Sequence, residues 1–214
     1  MTQEFIKRIF SSIILIFLSL FFIINGSFYF IFFLLLCFMI TIYEWHQMNK
    51  KKDYFFYGFF FLIFSFYTVF DLRNDNSLIF FLLIVIICIA TDMGGYIFGK
   101  TFKGPKLTKK ISPNKTYAGM LGGFFLTIIF SYIFLNNFNL LGLEDSGEMP
   151  EQIYIIALLT SFISQAGDLI VSFFKRKAKI KNTGKIIPGH GGLLDRIDGM
   201  IFAFPFIYVI TKIL

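Results

Sequence analysis

The sequence is poor in what usually stabilises a small protein in water. Charged residues fill 15% of its 214 positions, where a soluble domain carries roughly a quarter. Only two cysteines occur, Cys37 and Cys88, and both sit inside apolar runs, so no disulfide framework holds the chain together. Internal repeats and a second domain are not visible. No small-residue cleavage signal follows the first apolar run, so Lys7 and Arg8 read as the flank of a retained helix rather than as part of a leader. The tripeptide Asn25-Gly26-Ser27 matches a glycosylation acceptor, but so short a pattern occurs often by chance.

What fills the space is hydrocarbon. Hydrophobic residues make up 57% of the chain and aromatics 21%, almost all Phe and Tyr. A water-soluble fold of this length cannot hide that much apolar surface, so the solvent is expected to be lipid. The heavy use of Phe, Ile, Lys and Asn fits an AT-rich coding sequence and a bacterial source. Apolar runs at about 9–24, 27–43, 54–70, 77–99, 117–136, 151–174 and 197–213 approach the roughly 20 residues a helix needs to cross a bilayer. They are continuous rather than alternating, which selects helices over a barrel. The expected fold is an all-α, polytopic integral membrane bundle of about seven transmembrane helices.

Charge placement orients it. With a cytoplasmic N-terminus, 18 of the 20 Lys and Arg fall in inside segments, leaving only Arg73 and Lys212 outside. The outside loop after the fifth run carries Glu144, Asp145 and Glu148. So one-sided a distribution is the positive-inside pattern. It predicts a multi-pass protein of the inner, cytoplasmic membrane, with basic loops 100–116 and 175–196 facing the cytoplasm.

The chemistry collects in the second half. Residues 1–87 read as an N-terminal scaffold of transmembrane helices with little chemistry, and 88–214 as the catalytic region. Asp92 lies well inside the fourth run, where an acid is costly and by default functional. It shares a helix face with Tyr96 and Gly99, while Gly95 and Gly99 form a G-x-x-x-G pair suited to close helix packing. Six lysines follow between Lys100 and Lys115. Ser112-Pro113-Asn114-Lys115-Thr116 then precedes a helix start, with proline setting a turn and lysine and hydroxyls suited to a phosphate. In the sixth run Ser161, Ser164, Gln165, Asp168 and Ser172 line one face, and Lys175, Arg176 and Lys177 follow. Last comes PGHGGLLDRIDGM, 188–200, in which Asp195 and Asp198 stand three apart on one face. Pro188, Gly189, Gly191 and Gly192 allow a tight turn with exposed amides suited to oxygen anions, and His190 lies among them. Carboxylates with lysines and amides at a membrane surface suit Mg²⁺ and a polyphosphate, hence metal-assisted phosphoryl or nucleotidyl transfer.

Two multi-residue patterns carry a resemblance. Ser172, Lys175, Arg176, Lys181, then Pro188 to Gly192, then Asp195, Arg196 and Asp198 match in order and spacing the C-terminal motif of the phosphatidate cytidylyltransferases, the CDP-diacylglycerol synthases. Gly167-Asp168-Leu169 matches as well, and so do Asp92, Tyr96, Gly99, Ile111-Ser112-Pro113, Lys115, Thr116 and Gly119. The resemblance covers roughly residues 88–205. It implies that CTP and phosphatidic acid in the bilayer give CDP-diacylglycerol and pyrophosphate, with no nucleic acid involved. It further implies that Asp168 and Asp195 hold a divalent ion, Mg²⁺, with room left open for a monovalent cation such as K⁺, and that the protein forms a homodimer. In this reading Asp92 and Asp198 are supporting carboxylates. Lys175, Arg176 and Lys115 steady phosphate charge. Ser112, Thr116, Ser172, Lys181, His190, Gly191, Gly192 and Arg196 bind substrate.

The chain departs from the family pattern at two places. Asn182 stands where the family has Asp, and Ala118 where it usually has Glu. Both put metal affinity and substrate range in question. Two other readings remain: a CTP-dependent lipid-alcohol kinase, and a non-enzymatic transporter whose acids line an ion path.

Overall fold

The computed structural model describes residues 3–49, 54–140, 152–187 and 191–213. Among these the regular elements are helices and one short hairpin. In order it forms α1 (Gln3–Asn25), α2 (Ser27–Asn49), α3 (Phe55–Asp75), α4 (Leu78–Phe102), β1 (Lys106–Thr108), β2 (Ser112–Thr116), α5 (Tyr117–Leu140), α6 (Gln152–Lys177), α7 (Leu194–Ile197) and α8 (Met200–Ile213). The all-α polytopic bundle expected from hydropathy is therefore present. Its surface is that of a protein in lipid: Phe28 and Tyr57 are 73% and 79% exposed, amid many other exposed Phe, Leu and Ile side chains. Five described helices are long and apolar enough to cross a membrane: α2, α3, α4, α6 and the Tyr117–Asn137 portion of α5. The last apolar helix, Met200–Ile213, is shorter than a crossing usually requires. At the C-terminal end the cause is local. The residues before Met200 form a separate turn of helix, α7, followed by a turn at Asp198-Gly199, so the apolar helix begins later than the hydropathy run.

The chain divides into two compact units, one of residues 1–74 and 174–198, the other of 75–173 and 199–214. Residues 174–198, most of the C-terminal motif, group with the N-terminal helices. In the first unit, α1 turns into α2 at Gly26, whose φ of +62° favours glycine. Arg73 closes that corner by donating its Nε–H to the Ile23 carbonyl at 3.0 Å. Trp45 lies flat against Gly58, where a Cβ would fall 1.9 Å from its ring. Its indole N–H donates to the Phe55 carbonyl at 3.0 Å, and Phe174 packs edge-on against it.

In the second unit α4 and α5 approach closely. A Cβ on Gly94 would sit 2.2 Å from the Gly122 carbonyl oxygen, and one on Gly119 would sit 2.7 Å from that of Gly95. Close helix approach was expected from Gly95 and Gly99, and Gly119 does pack there, its Cβ position 2.7 Å from the Gly95 carbonyl oxygen and 3.3 Å from Gly99 Cα; the contact of Gly94 with Gly122 is closer still. Thr91 joins three helices, donating to Ser161 at 2.7 Å and meeting the Thr127 hydroxyl at 3.0 Å. Such hydroxyl pairs hold helices together where water cannot compete. Leu83, Ile87, Leu135, Ile153 and Ala157 form the adjoining apolar core.

The hairpin was not expected. Lys103 and Gly104, at φ +54° and +90°, turn the chain out of α4. β1 and β2 then pair antiparallel, with Lys106 opposite Thr116 and Thr108 opposite Ser112. Pro113 lies in a strand rather than in a turn. A two-stranded ladder leaves each strand one free edge, where a missing N–H does no harm.

Candidate active site

Asp168 sits on α6 one turn before Ser172. Its Oδ2 forms an ion pair with the Lys115 ammonium, and its Oδ1 accepts a hydrogen bond from Ser172 Oγ at 3.2 Å. Lys115 also lies 3.5 Å from the Gln165 carbonyl. β2 delivers that lysine, and the next residue fixes the strand's end. Thr116 is buried, and its hydroxyl accepts the Gly119 N–H at 3.0 Å, capping α5. Thr116, a substrate-binding candidate by sequence, thus has its hydroxyl engaged in holding Lys115 at the helix start. The polar stripe of α6 divides by position. Ser161 bonds to Thr91, and Gln165 donates to the Met120 carbonyl at 3.4 Å, so its first half joins helices. Its second half makes the surroundings of Asp168.

The second acidic centre lies in the other unit. Asp195, on α7, is almost covered. Its Oδ1 accepts from the Lys175 ammonium at 3.0 Å, and its Oδ2 accepts two backbone N–H groups, Thr183 at 2.8 Å and Gly192 at 3.0 Å. Asp198 Oδ2 lies 3.5 Å from the same ammonium. The expectation that Asp195 and Asp198 share a face is met: one buried lysine serves both. Ile187 and Gly191 exchange backbone hydrogen bonds of 2.9 and 3.2 Å, pinning the base of the glycine turn. Gly191 takes φ +94°, open to glycine, and a Cβ there would approach Asp195 Oδ2 to 2.8 Å.

This geometry corrects one sequence reading. The turn was expected to present free amides to an anion. Among the described residues, the N–H groups of Gly191, Gly192, Leu193 and Leu194 are all taken by the protein itself. Two of them go to Glu44, a residue the sequence reading passed over. Glu44 lies on α2, 1% exposed. Its Oε1 accepts from Leu193 N at 2.9 Å, and its Oε2 accepts from Leu194 N and from Thr183 Oγ1, each at 2.8 Å. Residues 1–87 thus contribute a buried carboxylate to the segment that carries Asp195. The available signal was an acid in the largely apolar stretch TIYEWHQM.

The remaining candidates are less enclosed. Arg176, Lys181 and Arg196 are exposed, and Arg176 donates to the Ile180 carbonyl at 3.1 Å. Ser112 is half-buried. Asp92 is exposed on α4, and Tyr96 beside it receives Lys100, whose ammonium lies 3.4 Å from the phenol oxygen. His190 lies outside the described residues. Asn182 is exposed, with its Cβ and Cγ each 3.4 Å from the position a Cβ on Gly191 would take. Ala118 is half-buried in the first turn of α5.

Among the described residues no three His, Cys, Asp or Glu converge as a metal cage. The donor set still fits Mg²⁺, which commonly takes one or two carboxylates and completes its shell with water and substrate phosphates. At each centre an ammonium already occupies the cation position: Lys115 on Asp168, and Lys175 between Asp195 and Asp198.

A family model described as the cytidylyltransferase family matches residues 53–214. The phosphatidate cytidylyltransferase of Rickettsia felis is 36% identical over 149 residues, 69% of this chain and 64% of the relative. That of Bacillus subtilis is 33% identical over 153 residues, 69% of this chain and 54% of the relative. That of Rickettsia conorii is 40% identical over 122 residues, 55% and 52%. The chain thus spans roughly half to two-thirds of the length of the curated relatives it matches.

Proposed function

The chain belongs to the cytidylyltransferase family, and on that premise we propose that it transfers the cytidylyl group of CTP to phosphatidic acid, giving CDP-diacylglycerol and pyrophosphate. The observation that carries this reading is the pair of lysine-neutralised acidic centres, Asp168 with Lys115 and Asp195 and Asp198 with Lys175, in a chain whose surface is built for lipid. A membrane protein keeps such buried charge only where it is paired, and most often where it is used. The relatives named phosphatidate cytidylyltransferase supply the substrate class.

A phosphate oxygen of the lipid attacks the α-phosphorus of CTP. The bond between that phosphorus and the bridging oxygen to the β-phosphorus breaks, and pyrophosphate leaves with the electron pair. Lys115, Lys175 and Arg176 offset the charge that builds on the phosphates. Ser112, Ser172, Lys181, His190 and Arg196 orient the substrates, while Asp92 and Asp198 support the acidic centres. The divalent ion, Mg²⁺, is proposed to take its protein oxygens from Asp168 and Asp195, with a monovalent cation such as K⁺ as a second ion. When bound it supplies Lewis-acid polarisation of the phosphoryl group. The same reading gives seven crossings, a cytoplasmic N-terminus, reaction at the cytoplasmic face of the inner membrane, and a homodimer. The positive-inside distribution of Lys and Arg supports the orientation.

The test is the purified protein with CTP labelled at the α-phosphate, phosphatidic acid or diacylglycerol, and Mg²⁺ present or absent. The expected products are labelled CDP-lipid and pyrophosphate, from phosphatidic acid and only with Mg²⁺. Phosphorylated lipid and CDP from diacylglycerol would instead show a CTP-dependent lipid kinase. No nucleotide turnover in well-folded protein would favour a transporter.

A further inference from the structure

We infer that Glu44 is a positioning residue: it holds the segment that carries Asp195 in shape, and so leaves the Asp195 carboxylate available as a ligand. The claim about shape rests on hydrogen bonds alone, and the claim about ligand duty rests on the proposed function. Two pieces of loop meet in the first unit, 183–184 and 191–195. Asp195 ties them together by accepting from Thr183 N and Gly192 N. Glu44 ties the same two pieces a second time, through the Thr183 hydroxyl on one side and the amides of Leu193 and Leu194 on the other.

The fit around Glu44 is close on both sides. A Cβ added to Gly184 would lie 2.6 Å from Glu44 Oε1, and one added to Gly192 would lie 2.5 Å from Oε2 and 2.2 Å from Thr183 Oγ1. Both glycines are thus required by a carboxylate that arrives from α2. The second glycine of the Gly191-Gly192 pair is explained by Glu44 without reference to any substrate.

Chemistry explains why the residue is an acid. Three donors converge on Glu44, and a carboxylate is the side chain that only accepts. Glutamine in its place would turn an N–H₂ group toward an N–H donor and leave at least one buried amide without a partner. The double tie has a consequence for Asp195. An acid that is the sole fastening of its own loop cannot change partners without releasing the loop. With Glu44 holding 183 against 193–194, Asp195 can exchange Lys175 for a cation while its amide bonds and the loop stay in place.

Amide hydrogen exchange and kinetics on the full chain in lipid-detergent micelles test this. In Glu44→Gln, exchange at residues 183 and 192–195 is expected to accelerate about tenfold. The α4 and α5 amides should keep their wild-type rates. The KM for CTP and the Mg²⁺ concentration for half-maximal turnover should both rise about fivefold, with a smaller fall in kcat. Glu44→Asp, which keeps the acceptors but shortens the reach, should recover part of both. Two results would overturn the inference: exchange at 183 and 192–195 unchanged, or accelerated equally in α4 and α5, as a general loss of stability would give. If Glu44→Gln does not accumulate as folded protein, Thr183→Val decides. It removes one of the three donors and should speed exchange locally about threefold, and no local change there would count against Glu44 equally. Should the wild-type chain make no CDP-lipid, the proposed reaction falls, and the exchange measurement still decides whether Glu44 sets the loop.

Discussion

Asp168 and Asp195 are each paired with a lysine, yet they are held in different ways. Asp168 keeps its place through two side chains, Lys115 and Ser172, and about a quarter of its side chain reaches solvent. Asp195 is 8% exposed and is held by two backbone N–H groups as well as Lys175. A long lysine can swing away from a half-open carboxylate at little cost, since exposed ion pairs contribute about 1 kcal/mol or less. Backbone amides cannot swing away. The difference separates an acid that can change partners freely from one built into its loop, and it predicts that mutations at the two centres will look alike in an activity assay and unlike in a melting curve.

The largest effect should come from the acids. Asp168→Asn and Asp195→Asn are each expected to lower CDP-lipid formation by about 10³-fold, the order of loss for groups that organise charge in the transition state. Thermal melting of the purified variants should then part them. Asp168→Asn should melt near the wild-type temperature. Asp195→Asn, which leaves Lys175 half-paired and sets a new N–H₂ among buried donors, should lose about 2–4 kcal/mol. Equal melting curves would remove the distinction drawn between the centres, and unchanged turnover in either variant would remove that acid from the metal assignment.

The lysines give the next contrast. Lys175→Met leaves two nearly buried carboxylates, Asp195 and Asp198, facing each other without the cation between them. Breaking a buried pair in this way costs about 3–5 kcal/mol. Lys115→Met removes a partner from a part-exposed acid and should cost about 1 kcal/mol or less, while still reducing turnover. The measurement is the chemical or thermal stability of both variants side by side. A smaller effect is expected from Gly192→Ala, whose Cβ would press on Thr183 and Glu44. Overpacking of this kind costs about 1–3 kcal/mol, whereas the same substitution at Gly104, where nothing lies within 4 Å, acts only through its φ of +90°.

The two centres also differ in how far the sequence revealed them. Helices α2 to α6 were legible because apolar runs of membrane length leave few alternatives, and their ends fell within a few residues of the hydropathy boundaries, up to six at the end of α2. Asp195 and Asp198 share a face because three residues nearly complete a helical turn, which spacing alone reveals. Their common partner was not legible, since Lys175 stands 20 residues before Asp195 and two similar basic neighbours follow it. The hairpin escaped notice because strands of three and five residues, rich in lysine, show no alternation of apolar and polar. The glycine turn was read as an anion cradle. The anions on the described amides of Gly192, Leu193 and Leu194 are the protein's own carboxylates. Glu44 was missed for a related reason. A single acid at the end of a membrane helix looks like an interfacial residue until the distant loop that uses it is known, and nothing in local sequence announces a contact 149 residues away.

Asn182 offers the finest test of the comparison, because it adds charge to one centre alone. It is exposed and flanks Gly191 on one side, while the Asp195 carboxylate flanks it on another. Asn182→Asp restores the acid of the family motif and brings a second negative charge toward Asp195. Repulsion between two such carboxylates is screened where one is exposed, so stability should fall by well under about 1 kcal/mol. The same repulsion is relieved by any cation bound there. The half-saturating Mg²⁺ concentration should therefore fall about two- to fourfold, with maximal turnover nearly unchanged. Raised salt should erase the shift, because it screens the added charge. The change at the other departure from the family pattern, Ala118→Glu in the first turn of α5, tests whether the gain belongs to Asp195 specifically. An equal fall in Mg²⁺ demand from both substitutions would show a general field effect of added negative charge. A fall from Asn182→Asp alone would locate it at the covered acid, where a carboxylate fixed by amides cannot move away from its new neighbour.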